Sequence, residues 1–125
     1  FTGEDRSENL RRSAEVAKML NHAGLLCIAA FVAPSEEVRQ RAAEVVGQDQ
    51  FLTIHLDAPM EVCRERDTEG RYAQADSGEI TNFPGVSADY DVPTDPALTL
   101  ATDQLSVIEC VDQIIALLEE RQLLV

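Results

Sequence analysis

The amino-acid sequence predicts an α/β fold in which a doubly wound parallel sheet carries helices on both faces. Apolar-rich runs of strand length occur at residues 25–32, 51–56 and 98–102, and a continuous apolar run is typical of a strand covered on both faces. Helical patterns of apolar residues precede, separate and follow these runs. Such alternation favours parallel strands joined by right-handed crossovers. The length fits one domain, predicted to span residues 1–125.

The first half of the chain contains two predicted helices around one strand. Apolar residues recur at helical spacing over residues 4–23, and Gly24 stands where a helix C-cap belongs. The run at 25–32 follows as a strand. Ser35, which precedes two glutamates, is a predicted N-cap for a helix that reaches Gly47. The apolar positions of the first helix are Leu10, Ala14, Val16, Ala17, Leu20 and Ala23.

The second half repeats the alternation and then departs from it. Residues 51–56 are a predicted strand, and Pro59 sits at the first turn of a short helix. Residues 67–95 are rich in Gly, Pro, Asp, Ser and Thr without an apolar period, which is typical of a functional loop or lid. A strand at 98–102 and a helix at 106–118, with a serine N-cap, follow. The predicted apolar face of this helix comprises Val107, Cys110, Ile114, Leu117 and Leu118.

The charge of the chain limits its partners. Acidic residues number 23 against 10 basic ones, giving a net charge of −13, and such a surface repels a phosphate backbone. We therefore expect no nucleic-acid binding. No apolar run approaches the roughly 20 residues of a membrane span, so no membrane association is expected. Three cysteines without a C-x-x-C pair are typical of thiols in a reducing cytoplasm, which is the predicted location.

The first residues of the chain place a basic side chain and an amide one helical turn apart, just after an aromatic residue. These are Arg6, Asn9 and Phe1. A guanidinium offers a fixed fork of donors to an oxyanion, and an amide both donates and accepts, so the arrangement suits an anionic nucleotide. The alternative is an ordinary helix start, in which arginines pair with neighbouring glutamates on a solvated face.

Five stretches, in one order along the chain, resemble the adenylylsulfate kinases, a P-loop family that phosphorylates the 3'-hydroxyl of adenosine 5'-phosphosulfate with ATP. Their common order is far more specific than any single stretch. The matching stretches are Phe1 to Arg12, Phe31 to Pro34, Asp57 to Asp67, Gly78 to Gly85, and Thr102-Asp103.

The resemblance implies a site for adenosine 5'-phosphosulfate. Phe1 and Phe83 would flank its adenine, while Arg6 and Asn9 would hold the phosphosulfate and the ribose. Two further residues would line the crevice at the carboxyl end of a strand. Without the resemblance, Phe83 could equally anchor the lid to the core. The implied substrate-binding set is Phe1, Arg6, Asn9, Val32, Ala33, Asn82 and Phe83.

The resemblance also implies ATP and Mg²⁺ as cofactors. Arg66 would stack on the adenine of ATP, and Thr102 and Leu105 would line the same pocket. The phosphate-binding motif G-x-x-x-x-G-K-[S/T] does not occur in these 125 residues, so we assign no catalytic residue. We expect a P-loop-kinase-like sheet whose N-terminal strand and P-loop are absent from this chain, and a sequence that is the C-terminal part of a longer one.

Several residues depart from the family pattern where that pattern usually has serine, arginine or lysine. Removing a cation near a multiply charged ligand weakens the attraction, so the departures predict weaker substrate affinity. Alanine at the serine position also excludes a phosphoserine there. The departing residues are Ala33, Glu36, Glu69, Ala73 and Gln74.

The resemblance predicts an adenylylsulfate kinase that makes 3'-phosphoadenylylsulfate by in-line transfer. A second hypothesis is a catalytically inactive, kinase-like domain that binds the nucleotide as a regulatory module, as in some fungal ATP sulfurylases. A third is a scaffold with no ligand. A fused or associated ATP sulfurylase and a homo-oligomer are the expected protein partners.

Overall fold

The computed structural model describes residues 2–124. These residues form two compact units. The first unit comprises the described residues up to Leu52 together with Gly70–Thr94, and the second comprises Thr53–Glu69 together with the described residues from Asp95 onward. Each unit is described by itself, and the single-domain interpretation of residues 1–125 stays a prediction.

The first unit begins with helix α1, Gly3–His22. The Thr2 hydroxyl accepts from the backbone N–H of Asp5 at 3.1 Å, and the Asp5 carboxylate accepts from the Thr2 N–H at 2.8 Å. This capping box satisfies donors that the first turn of a helix leaves unpaired. At the other end Gly24 has φ 79°, and the N–H of Leu25 donates to the carbonyl of Leu20 at 3.0 Å. The predicted glycine C-cap is confirmed as a Schellman motif.

Helix α2, Glu36–Val46, packs on α1. The buried centre of their contact is formed by Ala14, Ala42 and Val46. Alanine at the crossing lets the two backbones approach closely. Val16, predicted to face the core, is 50% exposed, because the contact uses the neighbouring face of α1. The partly buried residues around this centre are Leu10, Ala17, Val45 and Phe51.

The predicted buried strand at residues 25–32 is wrong for this chain. The segment belongs to no helix or sheet, and Ile28 is 87% exposed. A strand forms only when a neighbour accepts and donates along its edge. Among residues 2–124 the sheet has two strands, and neither pairs with this segment. Its apolar sequence is therefore uncovered.

The predicted lid at 67–95 is not wholly a loop. Helix α4, Arg71–Asp76, lies inside it and begins after Gly70, which has φ 69°. The helix has only six residues, too short for an apolar period to reveal it. A tight turn follows over 83–88, because the carbonyl of Phe83 accepts from the N–H groups of residues 86, 87 and 88.

The second unit contains the sheet. Strands β1, Ile54–Asp57, and β2, Leu98–Ala101, are parallel, with Ile54 opposite Leu98 and Asp57 opposite Ala101. Parallel pairing was predicted and is confirmed. Strand β1 begins three residues later than predicted, because a 3₁₀ turn at Gln48–Gln50 precedes it and the ladder starts only where β2 lies opposite.

Two further helices belong to the second unit: α3, Met60–Glu65, and α5, Val107–Glu120. The hydroxyl of Ser106 accepts from the N–H of Glu109 at 3.3 Å, so the predicted serine N-cap is confirmed. Val107 was predicted to face the core but is 80% exposed, as expected for a first-turn residue that projects past the helix entrance. None of the helices among residues 2–124 combines the length and apolarity that a bilayer crossing requires.

The contact between α1 and α2 leads to a stability prediction. Ala42 is 3% exposed, so a leucine there must displace packed neighbours, and Ala42→Leu should lower the free energy of unfolding by about 1–3 kcal/mol. The control is Ala116→Leu, the same change at an exposed position of α5, which should change it by less than about 0.5 kcal/mol. Urea unfolding followed by circular dichroism measures both. Equal effects of the two variants would contradict the packing described.

Candidate functional site

The predicted substrate-binding residues of α1 lie in its first two turns. Arg6 is half-buried and Asn9 is exposed. Asn9 lines a shallow depression of about 370 Å³ together with Asp5, Glu8 and Arg12. Two carboxylates face this depression, so it does not attract an anion by itself. Phe1, the predicted first wall of the adenine site, lies outside the described residues.

Glu8 is held by two arginines on the exposed side of α1. Its carboxylate accepts from Nε of Arg11 at 2.8 Å and from Nε of Arg12 at 2.8 Å. These hydrogen bonds lower the pKa of Glu8 to about 2. The alternative interpretation of these two arginines, pairing with a neighbouring glutamate on a solvated face, is confirmed.

The predicted crevice residues Val32 and Ala33 lie in the segment before α2. Val32 is 64% exposed. Ala33 has φ 39°, in the left-handed region that favours glycine. A side chain of α2 holds this conformation, since the carbonyl of Ala33 accepts from Nη1 of Arg39 at 2.5 Å.

Arg39 is the buried centre of a polar network in the first unit, with 8% of its surface exposed. Its Nε and Nη2 atoms donate to Oε2 of Glu36 at 3.0 and 2.5 Å. Nη2 also donates to the carbonyl of Asp91 at 2.5 Å. The guanidinium lies 6.0 Å from the ring centre of Tyr90, at the limit of a cation–π contact. Acceptors from three segments therefore compensate for the loss of water around this buried charge.

The end of the predicted lid is hydrogen-bonded to the start of α2. Oδ2 of Asp91 accepts from the N–H of Glu36 at 3.0 Å, and the N–H of Asp91 donates to the carbonyl of Pro34 at 2.8 Å. Ser35 occupies the predicted N-cap position, but no side-chain cap bond from it occurs within residues 2–124. Asp91 supplies that bond instead, which corrects the sequence prediction.

The carboxylate of Glu36 accepts hydrogen bonds from other side chains of the first unit. Besides Arg39, it accepts from the hydroxyl of Thr94 at 3.1 Å. The Arg39 hydrogen bonds, more than that of Thr94, hold the pKa of Glu36 below its ordinary value, against partial burial, which raises it. The glutamate that stands at a family arginine position is thus a structural partner of Arg39. Its negative charge is largely balanced there.

Phe83, the predicted second wall of the adenine site, is fixed by its neighbours in the lid. Its ring makes an edge-to-face contact with Tyr72 of α4, with centroids 5.0 Å apart and planes at 64°. Its N–H donates to the hydroxyl of Ser87 at 2.9 Å. Asn82, just before it, has φ 57°. The ring therefore has a defined place in the lid and is half-buried.

The structure brings the predicted ATP-binding residues together in the second unit. Nη2 of Arg66, the C-cap of α3, donates to the carbonyl of Thr102 at 2.7 Å, and Nη1 donates to its hydroxyl at 3.3 Å. The N–H of Thr102 donates to the carbonyl of Asp57 at 2.8 Å. Leu105 follows in the turn after β2, where its N–H donates to the carbonyl of Ala101 at 3.0 Å. This turn places Thr102 and Leu105 at the carboxyl ends of the strands.

The described residues do not offer Mg²⁺ a site of their own. No group of three or more His, Cys, Asp or Glu side chains suited to a metal ion occurs among residues 2–124. Mg²⁺ also binds through nucleotide phosphates and water with few protein carboxylates.

Sequence reasoning missed Arg39, Asp91 and Tyr72. Arg39 had a detectable signal, because the buried positions of α2 are 39, 42 and 46, so an arginine stands at a position of the apolar period. A buried arginine needs acceptors, and its neighbours in sequence could not show all of them. Asp91 accepts a hydrogen bond from Glu36 of α2, which lies 55 residues earlier in the sequence, and a local sequence pattern cannot predict a contact between residues so far apart.

Comparisons with known proteins show which family this chain is similar to. A protein-family model described as Adenylylsulphate kinase matches residues 1–101. The bifunctional enzyme CysN/CysC of Rhodopirellula baltica is 55% identical over 119 residues, which are 95% of this chain and 18% of that protein. The adenylyl-sulfate kinase of Bacteroides thetaiotaomicron is 45% identical over 115 residues, which are 92% of this chain and 57% of that protein.

Solved structures agree as well. The Mycobacterium tuberculosis APS kinase CysC, solved in complex with AMPPNP and APS, matches with a TM-score of 0.88 and 38% identity over 95% of this chain and 69% of that one. This likeness confirms the predicted P-loop-kinase-like α/β fold. The chain spans less than two thirds of the length of the curated relatives named above.

The low pKa of Glu36 predicts an acid sensitivity. A carboxylate whose pKa is depressed in the folded state stabilises it fully above the unfolded value of about 4.5, and this contribution is lost as the pH falls through the folded pKa. At about pH 7, Glu36→Gln should lower the free energy of unfolding by about 1–3 kcal/mol. The gap between wild type and variant should narrow toward about pH 3.

Glu37→Gln is the matched control for this experiment. Glu37 pairs with Arg41 on the exposed side of the same helix, so its removal should cost less than about 1 kcal/mol. Urea unfolding at a series of pH values measures both variants. A constant gap between wild type and Glu36→Gln at all pH values would contradict the role given to the Glu36 charge.

Proposed function

Because the chain belongs to the adenylylsulphate kinase family, we propose that the protein carrying it transfers the γ-phosphoryl group of ATP to the 3'-hydroxyl of adenosine 5'-phosphosulfate. The observation that carries this proposal is the family match over residues 1–101. The bound AMPPNP and APS of the similar Mycobacterium tuberculosis kinase support a site for each nucleotide. The reaction forms a bond between O3' and the γ-phosphorus and releases ADP.

The first unit holds adenosine 5'-phosphosulfate in this proposal. Phe83 offers a ring face to the purine, and its contact with Tyr72 keeps that ring in place. Arg6 pairs with the phosphosulfate anions, and the exposed amide of Asn9 reaches the ribose. Val32 and Ala33 line the crevice, as the family resemblance implies. Placement of the acceptor hydroxyl is the contribution of these residues to transfer.

The second unit holds ATP in this proposal. Arg66 keeps one planar face for the adenine while its N–H groups bind Thr102. Thr102 and Leu105 line the same pocket at the carboxyl ends of β1 and β2, where ligands of open α/β sheets bind. Transfer also requires a phosphate-binding loop, and none occurs in these 125 residues. Mg²⁺ would be bound chiefly by the ATP phosphates.

A second candidate function is a regulatory domain that binds the nucleotide without turnover. Two observations favour it: Ala33 stands where the family usually has serine, and Glu36 stands where arginine is common. We further propose a cytoplasmic location, a homo-oligomer, and a fused or associated ATP sulfurylase, which would supply the substrate. The name of the bifunctional relative supports more than one activity in a polypeptide of this family.

Substitutions in the first unit test the substrate site. Phe83→Ala should weaken the binding of adenosine 5'-phosphosulfate by about 1–3 kcal/mol, because one stacking face is lost. Phe83→Leu keeps an apolar side chain without the aromatic face and should lose most of the same affinity. Arg6→Ala should weaken binding by about 1–3 kcal/mol through the lost charged hydrogen bonds. Isothermal titration calorimetry measures these affinities.

Arg41→Ala is the control for loss of a positive charge, because Arg41 is exposed on α2 and pairs with Glu37. It should leave the affinity within about twofold. Unchanged affinity in both Phe83→Ala and Arg6→Ala would reject the site, and absence of measurable binding by the wild-type protein would favour the scaffold without a ligand.

Turnover separates the two candidate functions. The proposed kinase converts adenosine 5'-phosphosulfate and ATP into 3'-phosphoadenylylsulfate and ADP, which ion-exchange chromatography resolves. The assay uses the full-length protein that carries this chain, because these 125 residues contain no phosphate-binding loop and are not expected to catalyse transfer alone. If the full-length protein binds adenosine 5'-phosphosulfate but forms no product, the kinase is rejected and the regulatory domain is supported.

A further inference from the structure

Arg39 connects the start of α2 and the segment before it with the end of the lid, which is 52 residues away in sequence. One guanidinium donates to the carbonyl of Ala33, to the carboxylate of Glu36 and to the carbonyl of Asp91. Two of these acceptors are backbone groups outside α2. The side chain therefore sets the path of the main chain at both places, in addition to satisfying its own charge.

The backbone at Ala33 needs such a restraint. A non-glycine residue in the left-handed region has a conformational cost, and surrounding contacts must hold it there. Arg39 contacts the carbonyl of this residue directly. Loss of the guanidinium would allow the segment at 31–34 to relax toward an ordinary conformation.

Restraint at Asp91 extends to Phe83 through a short piece of chain. The turn over 83–88 is closed by its own hydrogen bonds, so it moves as one piece. Three residue steps separate Ala88 from Asp91, a reach of at most about 10 Å. A fixed Asp91 therefore limits how far the turn and the Phe83 ring can move from the start of α2.

We propose that Arg39 is a positioning residue for adenosine 5'-phosphosulfate. It holds the Ala33 backbone and the end of the lid, and thereby sets the Phe83 ring for the purine without touching the ligand. This inference rests on the proposed function of the first unit. Glu36 and Thr94 complete the restraint, because Glu36 orients the guanidinium and Thr94 ties the lid to Glu36.

Lysine cannot replace Arg39 in this role. The three nitrogens of the guanidinium form a rigid fork that reaches acceptors in different directions, while lysine has a single nitrogen on a flexible stem. Arg39→Lys keeps the charge and should retain the fold, but it should recover only part of the substrate affinity.

The test compares Arg39→Met with Arg41→Met, a matched change at an exposed position of the same helix. In protein that circular dichroism shows to be folded, Arg39→Met should weaken the binding of adenosine 5'-phosphosulfate about tenfold or more, as expected for a misplaced binding group. Binding of AMPPNP, proposed for the second unit, should change less than about twofold. Arg41→Met should change neither affinity by more than about twofold.

A milder variant covers the case in which Arg39→Met does not fold. Thr94→Val removes only the exposed hydrogen bond to Glu36 and should weaken substrate binding about two- to threefold. Thr99→Val, an exposed threonine in β2, is its control and should leave the affinity unchanged.

Fluorescence tests the restraint independently of any ligand. The sequence has two tyrosines, Tyr72 and Tyr90, and no tryptophan. In a Tyr90→Phe background, emission comes from Tyr72, which packs on Phe83. Adding Arg39→Met should raise the acrylamide quenching constant of Tyr72 about twofold, because the lid opens more often, while adding Arg41→Met should not.

The outcomes distinguish the two proposals. Failure of the wild-type protein to bind adenosine 5'-phosphosulfate rejects the proposed function, and quenching then decides whether Arg39 positions Phe83. If the wild-type protein binds the substrate but folded Arg39→Met binds it equally well, the positioning role is rejected. Equal quenching of Tyr72 with and without Arg39 also overturns it.

Discussion

The first unit depends on the pairing of one buried positive charge. A guanidinium removed from water must find acceptors that replace its hydration, and Arg39 finds them in α2, in the segment before α2 and at the end of the lid. Each of these acceptors is thereby held in place. The small contact between α1 and α2, which is centred on alanines, brings the two helices together. The polar network around Arg39 fixes the end of the lid against the start of α2.

This arrangement bears on the proposed site, because unpaired carboxylates of an acidic chain would repel an anionic nucleotide. Most of its negative charges are dispersed, and two of those nearest the predicted site have partners: Glu8 is held by two arginines and Glu36 by Arg39. From the sequence alone, Glu36 suggests that this chain has lost a positive charge, because the family pattern usually has arginine at this position. In the structure the carboxylate of Glu36 accepts from the guanidinium of Arg39, so its charge is balanced within the protein.

The sequence predicted features that depend on neighbours along the chain. Helices, their caps at Gly24 and Ser106, and parallel pairing of β1 with β2 follow from local periodicity and composition. The strand at 25–32 failed because a strand requires a partner, and apolar composition cannot supply one. The cap from Asp91 and the hydrogen bond from Arg39 to the Asp91 carbonyl were unpredictable for the same reason, since both join residues more than 50 positions apart in sequence. The candidate site residues came from the family resemblance, and their roles stay predictions.

Hydrogen–deuterium exchange with and without adenosine 5'-phosphosulfate tests the central claim, that the first unit binds this nucleotide between α1, the segment before α2 and the lid. The account predicts added protection of backbone amides in residues 3–12, 31–34 and 82–91, with residues 98–105 unchanged. The claim would be contradicted if the nucleotide binds and protects amides only in residues 98–105, with no added protection in residues 3–12, 31–34 and 82–91.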